Sequence, residues 1–266
     1  MPGMIDIHHH CLPNVDDGPR EWDEAVAMCR MAADEGIDTI VATPHVLRGR
    51  WRSARRDELE ARIATLREKV GASPRLLLGS EYFFGHDVAE VLREGTAIVP
   101  LAGSRYILIE LASNSVPPLL DQPLYRMQLD GWIPILAHPE RNIVFQSKSN
   151  LLASLIDLGM KTQITAGSFT GAFGPEARVA AEKWLRRGLV HIVATDAHNT
   201  TKRPPKMREA LEVVRAVAGD DVADAVTRRN PGAVIENRPL AWEPEPSMER
   251  NGGFLKRMRA LLGSRA

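Results

Sequence analysis

The sequence predicts an α/β protein, a distorted (β/α)7 barrel forming a single domain with a short tail behind it. Three observations lead there. Short apolar runs alternate with amphipathic segments from residue 5 to about residue 230, the pattern of repeated strand–helix units. The apolar runs are continuous rather than alternating, as in parallel strands buried on both faces. No composition shift of domain size interrupts the 266 residues, and a chain of that length suits one α/β barrel. Seven units fit a distorted barrel better than an open sheet; an eight-stranded barrel with one strand missed is the alternative.

The elements follow in order. The first strand is 5–10, IDIHHH. Helix 22–35 places Trp22, Ala25, Cys29 and Ala32 at helical spacing and meets Gly36. Strand two is 39–43, TIVAT, and helix 58–70 carries Leu59, Ile63, Leu66 and Val70 on one face. Strand three is 76–80, LLLGS; a short helix at 88–93 leads to strand four, 106–109. Helix 119–130 precedes strand five, 133–137, and helix 149–158 is closed by Gly159. Strand six is 162–165, helix 176–187 stops at Gly188, and strand seven is 191–195, HIVAT. Helices 206–218 and 222–229 finish the barrel at Asn230–Pro231.

The barrel domain is thus expected over 1–238. Residues 239–266 differ: AWEPEPSMERNGG reads as a linker, and Phe254, Leu255, Met258, Leu261 and Leu262 alternate with Lys256, Arg257 and Arg259. Such a basic amphipathic stretch suits a membrane surface or a partner protein, and equally a frayed end or a helix packed on its own domain. The charge is balanced at 34 basic and 34 acidic residues, which argues against non-specific nucleic-acid binding. No apolar run approaches the ~18 residues of a membrane span, and no signal peptide opens the chain. The expectation is a cytoplasmic protein whose Cys11 and Cys29 are buried thiols.

The strand ends carry the chemistry. Along a strand side chains alternate, so His8 and His10 share a face and His9 takes the other. Two imidazoles so placed can chelate one ion. Strand two runs into His45, strand three ends in Glu81, strand four in Glu110, strand five in His138 and strand seven in Asp196 and His198. A polar residue at one strand end is ordinary; ligand-type residues at six of seven are a joint signal, because parallel barrels build their sites there. Asp17 is a further oxygen ligand, while Asp16 supports the turn before Gly18. His9, His86 and His191 fall outside the pattern.

These are too many ligands for one ion, and carboxylates bridge, so two or three divalent ions are expected. Mixed imidazole–carboxylate ligation suits Mn²⁺, Fe²⁺ or Zn²⁺ better than Ca²⁺. Three such ions against four carboxylates leave about two positive charges in surplus, which suits a phosphate dianion. Arg141 follows His138, Arg203 follows His198, and Arg48 and Arg50 follow His45; guanidinium groups bind phosphate oxygens bidentately.

Taken together, IDIHHHCLPNVDDG, ATPH, GSE, LIE, AHPER and ATDAH resemble the PHP (polymerase and histidinol phosphatase) superfamily. More closely they resemble the bacterial manganese-dependent protein-tyrosine phosphatases of the CpsB/CapC/YwqE type, over about residues 4–235. The resemblance implies a trinuclear site held by His8, His10, Asp17, His45, Glu81, Glu110, His138, Asp196 and His198, with Arg141 and Arg203 assisting phosphate binding and catalysis. His138 is also a candidate for proton transfer. The implied partner is a membrane-associated tyrosine kinase controlling capsular or exopolysaccharide biosynthesis, which places the protein at the inner face of the membrane; a homo-oligomer is left open.

Two mechanisms are excluded. A thiol-based tyrosine phosphatase needs arginine six residues after its cysteine, and those positions hold Asp17 and Glu35. An amidohydrolase usually places a lysine after strand four, where Glu110 stands. A small-molecule phosphomonoesterase of the same superfamily, such as histidinol-phosphate phosphatase, is the enzyme alternative. A metal-bound regulatory scaffold is the non-enzyme one.

Overall fold

The computed structural model describes residues 3–47, 54–84 and 98–244. Its strands are β1 (Met4–His9), β2 (Ile37–Ala42), β3 (His45–Val46), β4 (Arg75–Leu78), β5 (Glu81–Phe83), β6 (Tyr106–Glu110), β7 (Ile133–Ala137), β8 (Lys161–Thr165) and β9 (Ile192–Ala194). All pair in parallel, in two sheets of order β1-β2-β4 and β3-β5-β6-β7-β8-β9. The seven expected strands are present, but the second and third are each broken in two. Thr43–Pro44 interrupts one and Gly79–Ser80 the other; proline has no N–H to donate to a ladder. Hydrogen bonds from Gly79 N to Ala42 O (2.8 Å) and Glu81 N to Pro44 O (3.0 Å) carry the pairing across the break.

The circuit returns to β1 without a full ladder. Asp196 N donates to His8 O and His10 N to Ala197 O, both at 2.8 Å, around one parallel bridge between His9 and Ala197. Asp6, fully buried, reinforces this seam by accepting from Thr195 N (3.0 Å) and Thr195 Oγ (2.5 Å).

Both faces of the strands are buried, as the continuous apolar runs require. Ile7, Val41, Leu108, Ile135, Ala137, Ile192 and Ala194 meet inside the barrel. Ile40, Ile107, Ile109 and Leu136 face a second layer under the helices. That layer rests on α1 (Trp22–Asp34), α2 (Arg56–Val70), α3 (Asp121–Leu129), α4 (Ile143–Ser147), α5 (Ser149–Asp157), α6 (Ala166–Phe169), α7 (Pro175–Arg186) and α8 (Arg208–Ala218). The last begins at Arg208, two residues later than its periodicity suggests, where Glu35 Oε2 accepts from Met207 N (3.1 Å) and Arg208 N (2.9 Å) and satisfies the free donors of the helix start.

The chain does not leave the helical path at Asn230–Pro231 as expected. From α9 (Asp220–Asp224) it passes through a π turn, Ala225–Arg229, into α10 (Asn230–Ile235). Pro231 falls in the first turn of α10, where its missing N–H has no helical partner to lose. Ala233, Val234 and Leu240 then close the inner core from below. Residues 239–244 continue along this floor: Trp242 N donates to Asn230 Oδ1 at 2.9 Å and Lys161 pairs with Glu243 at 2.6 Å. The expected helix 88–93, His86, Arg48, Arg50 and the tail from 245 onward lie outside the described residues.

Candidate metal centre

Side-chain parity places most of the site. Counting by twos from Val41, which faces inward, reaches His45; from Leu108 it reaches Glu110, and from Ala194 it reaches Asp196. Leu77, packed on the inner core, leads likewise to Glu81. Gly79 lies between them, and a side chain there would strike Leu101 at 2.8 Å. Two strand ends break the count. Ile7 faces inward, so a regular β1 would turn His9 inward and His8 and His10 out. However, Asp6 pairs with Ile40 and His9 with Ala42, three residues against two. The extra residue is a β-bulge, which re-aims the side chains beyond it. At β7, Ala137 faces inward and His138 would face out. A left-handed backbone at His138, φ 35°, turns it back over the mouth, and Asp196 is left-handed too, at φ 52°. Such strained conformations persist where surrounding structure enforces them.

All nine expected ligands converge. His8, His10, His45, Glu81, Glu110, Asp196 and His198 are buried; His138 is 12 % exposed and Asp17 38 %. Glu81 is the hub. Its Oε2 lies 3.3 Å from His8 Nε2, 3.4 Å from His10 Nε2 and 2.8 Å from His45 Nδ1, and its Oε1 lies 2.8 Å from His138 Nε2. Asp196 Oδ1 is 3.2 Å from His8 Nε2, and Asp17 Oδ1 is 3.2 Å from His45 Nε2 and 3.3 Å from His198 Nε2. Overlapping groups of three or four ligand atoms, each group within 4.8 Å, form around His8/His138/Asp196, His8/His10/Glu81, His45/Glu81/Glu110 and His10/Asp17/His45/His198.

The donor chemistry fits divalent cations. His8 Nδ1 faces the Gln163 side-chain oxygen at 2.8 Å and His10 Nδ1 faces Asp16 Oδ2 at 2.7 Å. Both contacts call for a proton on Nδ1, which leaves a lone pair on each Nε2. Those two nitrogens are 3.2 Å apart, an arrangement that repels unless a cation is shared between them. Orienting partners of this kind are typical around metal-bound histidines. Burial, with Arg141 beside it, lowers the His138 pKa to about 3, and burial with His10 nearby lowers that of His198 to about 4; both are neutral at pH 7, the form a metal ligand requires.

Two arginines form the lip. Arg141 and Arg203 are 18 % and 28 % exposed, and both donate from Nη2 to Asp196 Oδ2, Arg203 at 2.5 Å. They flank one ring, with Cζ 4.4 Å (Arg141) and 5.8 Å (Arg203) from the centroid of Phe173.

Sequence reasoning missed several supports. Asp16 does brace the turn, accepting from Gly18 N at 2.9 Å, but it also holds His10 and accepts from His45 N at 3.0 Å. Strand six, which seemed to bring nothing, supplies Gln163, a fully buried amide in an apolar strand; a glutamine inside TQIT was the available signal. Glu140 of AHPER is buried and accepts from Thr165 N (3.1 Å) and Ser168 Oγ (2.7 Å), anchoring the turn between His138 and Arg141. Nothing in the sequence marks Phe173. As expected, His9 stays out of the ligand groups; its ring nitrogens are buried without hydrogen-bond partners, and burial lowers its pKa to about 3. Cys11 and Cys29 are free, buried thiols, also as expected.

Residues 4–236 match the family model described as capsular polysaccharide synthesis, CpsB/CapC. The chain belongs to the CpsB/CapC family. It is 33 % identical over 257 residues to the tyrosine-protein phosphatase YwqE of Bacillus subtilis, covering 94 % of this chain and 99 % of that protein. It is 37 % identical over 211 residues to the putative tyrosine-protein phosphatase CapC of Staphylococcus aureus, covering 77 % and 81 %. A crystal structure from a set comprising YwqE from Bacillus subtilis and CpsB from Streptococcus pneumoniae superposes with a TM-score of 0.87 at 32 % identity, over 92 % of this chain and all of that one. Those proteins are described as unique metal-dependent tyrosine phosphatases. This member of the CpsB/CapC family therefore shares the barrel of a metal-dependent phosphatase along nearly its whole length.

Proposed function

We propose that this chain is a metal-dependent tyrosine-protein phosphatase. The observation that carries the reading is the convergence of nine imidazole and carboxylate groups, Glu81 at their centre, beneath a lip of two arginines. The metal ligands are His8, His10, Asp17, His45, Glu81, Glu110, His138, Asp196 and His198. Divalent ions so held polarise phosphoryl oxygens and lower the pKa of bound water.

The chain's own residues do the rest. Arg141 and Arg203 receive the non-bridging phosphate oxygens, with Phe173 keeping the two guanidiniums side by side. Gln163 and Asp16 hold His8 and His10 with their Nε2 lone pairs directed inward. His138, whose Nε2 lies 2.8 Å from Glu81 Oε1, serves both as a ligand and as the group for proton transfer. A phenolate leaves readily, so the site needs no strong acid.

Mn²⁺ is the proposed ion, and the proposed substrate is a phosphotyrosine-bearing kinase of capsular or exopolysaccharide biosynthesis. The proposed place of work is the cytoplasm at the membrane, the basic stretch at 254–262 aiding contact; among the described residues no helix is long and apolar enough to cross a membrane. The test is chelation: stripped protein should lose turnover of a phosphotyrosine peptide and regain it with Mn²⁺. Full activity in metal-free protein would refute the reading.

A further inference from the structure

Beside the ligand cluster lies a recess that the phosphate chemistry leaves unused. It opens between the ends of β6 and β7 and measures about 150 Å³. Its apolar walls are Phe83, Leu111, Leu136 and Phe145. Its inner rim is made by Glu110, His138 and Arg141, all groups of the proposed site. A cavity of about 150 Å³ lined by such side chains is large enough to take a benzene ring.

The recess is built rather than incidental. Phe145 and Leu136, at its base, are 0 % and 2 % exposed. The loop forming its outer wall is latched by Asn142, whose Nδ2 donates to Ala112 O at 2.8 Å and Ser115 O at 2.9 Å. Ile143 N adds a bond to Ser113 O at 2.9 Å. Asn142 also caps α4, its side chain accepting from Val144 N and Phe145 N. One residue thus fixes both the loop and the helix that carries the base.

We infer that this recess is the subsite for the aromatic ring of the substrate, selecting aryl over alkyl phosphoesters. The inference rests on the phosphatase reading above. Arg141, the proposed phosphate donor, itself lines the recess, so a phosphate held there directs its ester group towards the recess. Beyond the rim the lining has no charged side chain: Ser113 and Asn142 add polar edges to the apolar walls. An aromatic ring gains from such a pocket by its area and its stacking faces. An alkyl phosphate or a phosphoserine side chain would leave the Phe83–Phe145 space unfilled.

The test uses the full-length, Mn²⁺-loaded protein. In the wild type, phenylphosphonate should inhibit or bind, by calorimetry, at least tenfold more tightly than methylphosphonate; equal affinities overturn the subsite. Ala112, half-buried on the wall, should then be enlarged. Ala112→Trp should lower kcat/KM for p-nitrophenyl phosphate at least tenfold and leave acetyl phosphate, a small ester with a good leaving group, within twofold. Ala112→Leu should fall between. Equal losses on both substrates, or none on either, overturn the proposal, and the phosphonate comparison stands even where a variant folds poorly. A wild type that binds neither phosphonate and turns over neither ester would instead refute the phosphatase reading itself.

Discussion

The two ends of this barrel are made from the same strands and behave as opposites. At the carboxyl ends, six buried ligand groups crowd around the seventh, Glu81, and two of the residues there, His138 and Asp196, hold left-handed backbone. At the amino ends, Ala233, Val234 and Leu240 plug an apolar core, and the left-handed Asn237 there, φ 54°, turns the chain rather than presenting a ligand. Parallel strands produce this sorting: every strand begins in one layer and finishes in the other. The mouth gathers groups that repel or strain one another until cations arrive, and the floor supplies burial that depends on no ligand. Substitutions at the mouth should therefore cost activity, and substitutions at the floor should cost stability.

The largest break is expected at the lip. Arg203→Ala should lower kcat by ~10²-fold, as removal of a preorganised donor does, with metal content unchanged by elemental analysis. A drop in bound metal would move Arg203 from the phosphate to the ligand scaffold. Next comes the support beneath. Asp16→Asn leaves the turn largely intact but weakens the hold on His10 Nδ1. Metal affinity should fall by about 10–100-fold, the usual effect of losing such a partner. Titration of stripped protein with Mn²⁺ measures it, and excess metal should restore turnover.

The floor should answer differently. Val234→Ala removes two methyl groups from a fully buried position and should cost about 2 kcal/mol in urea unfolding, with kcat/KM near wild type. His191 sharpens the contrast through pH. It is buried beneath β9, its Nδ1 accepts from Thr162 N at 3.2 Å, and burial, with Lys161 nearby, lowers its pKa to about 3. The unfolded chain binds a proton near the ordinary histidine value while the folded chain does not. Stability therefore falls as pH drops through that value and goes on falling towards the folded pKa. His191→Asn keeps an acceptor for Thr162 and should remove about 0.7 kcal/mol of the loss between pH 7 and pH 6. Identical pH slopes in variant and wild type would mean that this histidine is not the titrating group.

Much of the mouth was legible because parity survives where strands stay regular. Leu108 to Glu110 and Val41 to His45 can be counted from sequence, and the breaks at Pro44 and Gly79 leave that count undisturbed. The pairing of His8 with His10 was legible too, but not its direction, since a bulge cannot be seen in IDIHHH. His138 needed a left-handed turn that only the packing of AHPER against Ser168 and Thr165 reveals. The supports from Gln163 and Phe173 depend on distant strands and loops meeting, which no local pattern encodes. At the floor, Pro231 read as a terminator because the first turn of a helix and the end of one present the same residue.

The bulge in β1 also sets a rule about chain length. Between Ile7 and the last inward histidine, the spacing works only with one residue in excess of the neighbouring strand. Deleting either His8 or His9 would straighten the ladder and leave a single inward imidazole where two now stand. A point substitution at His9 could be absorbed as a change of packing, whereas the loss of one codon there would remove half of the chelating pair. In this segment, counting residues matters more than choosing them.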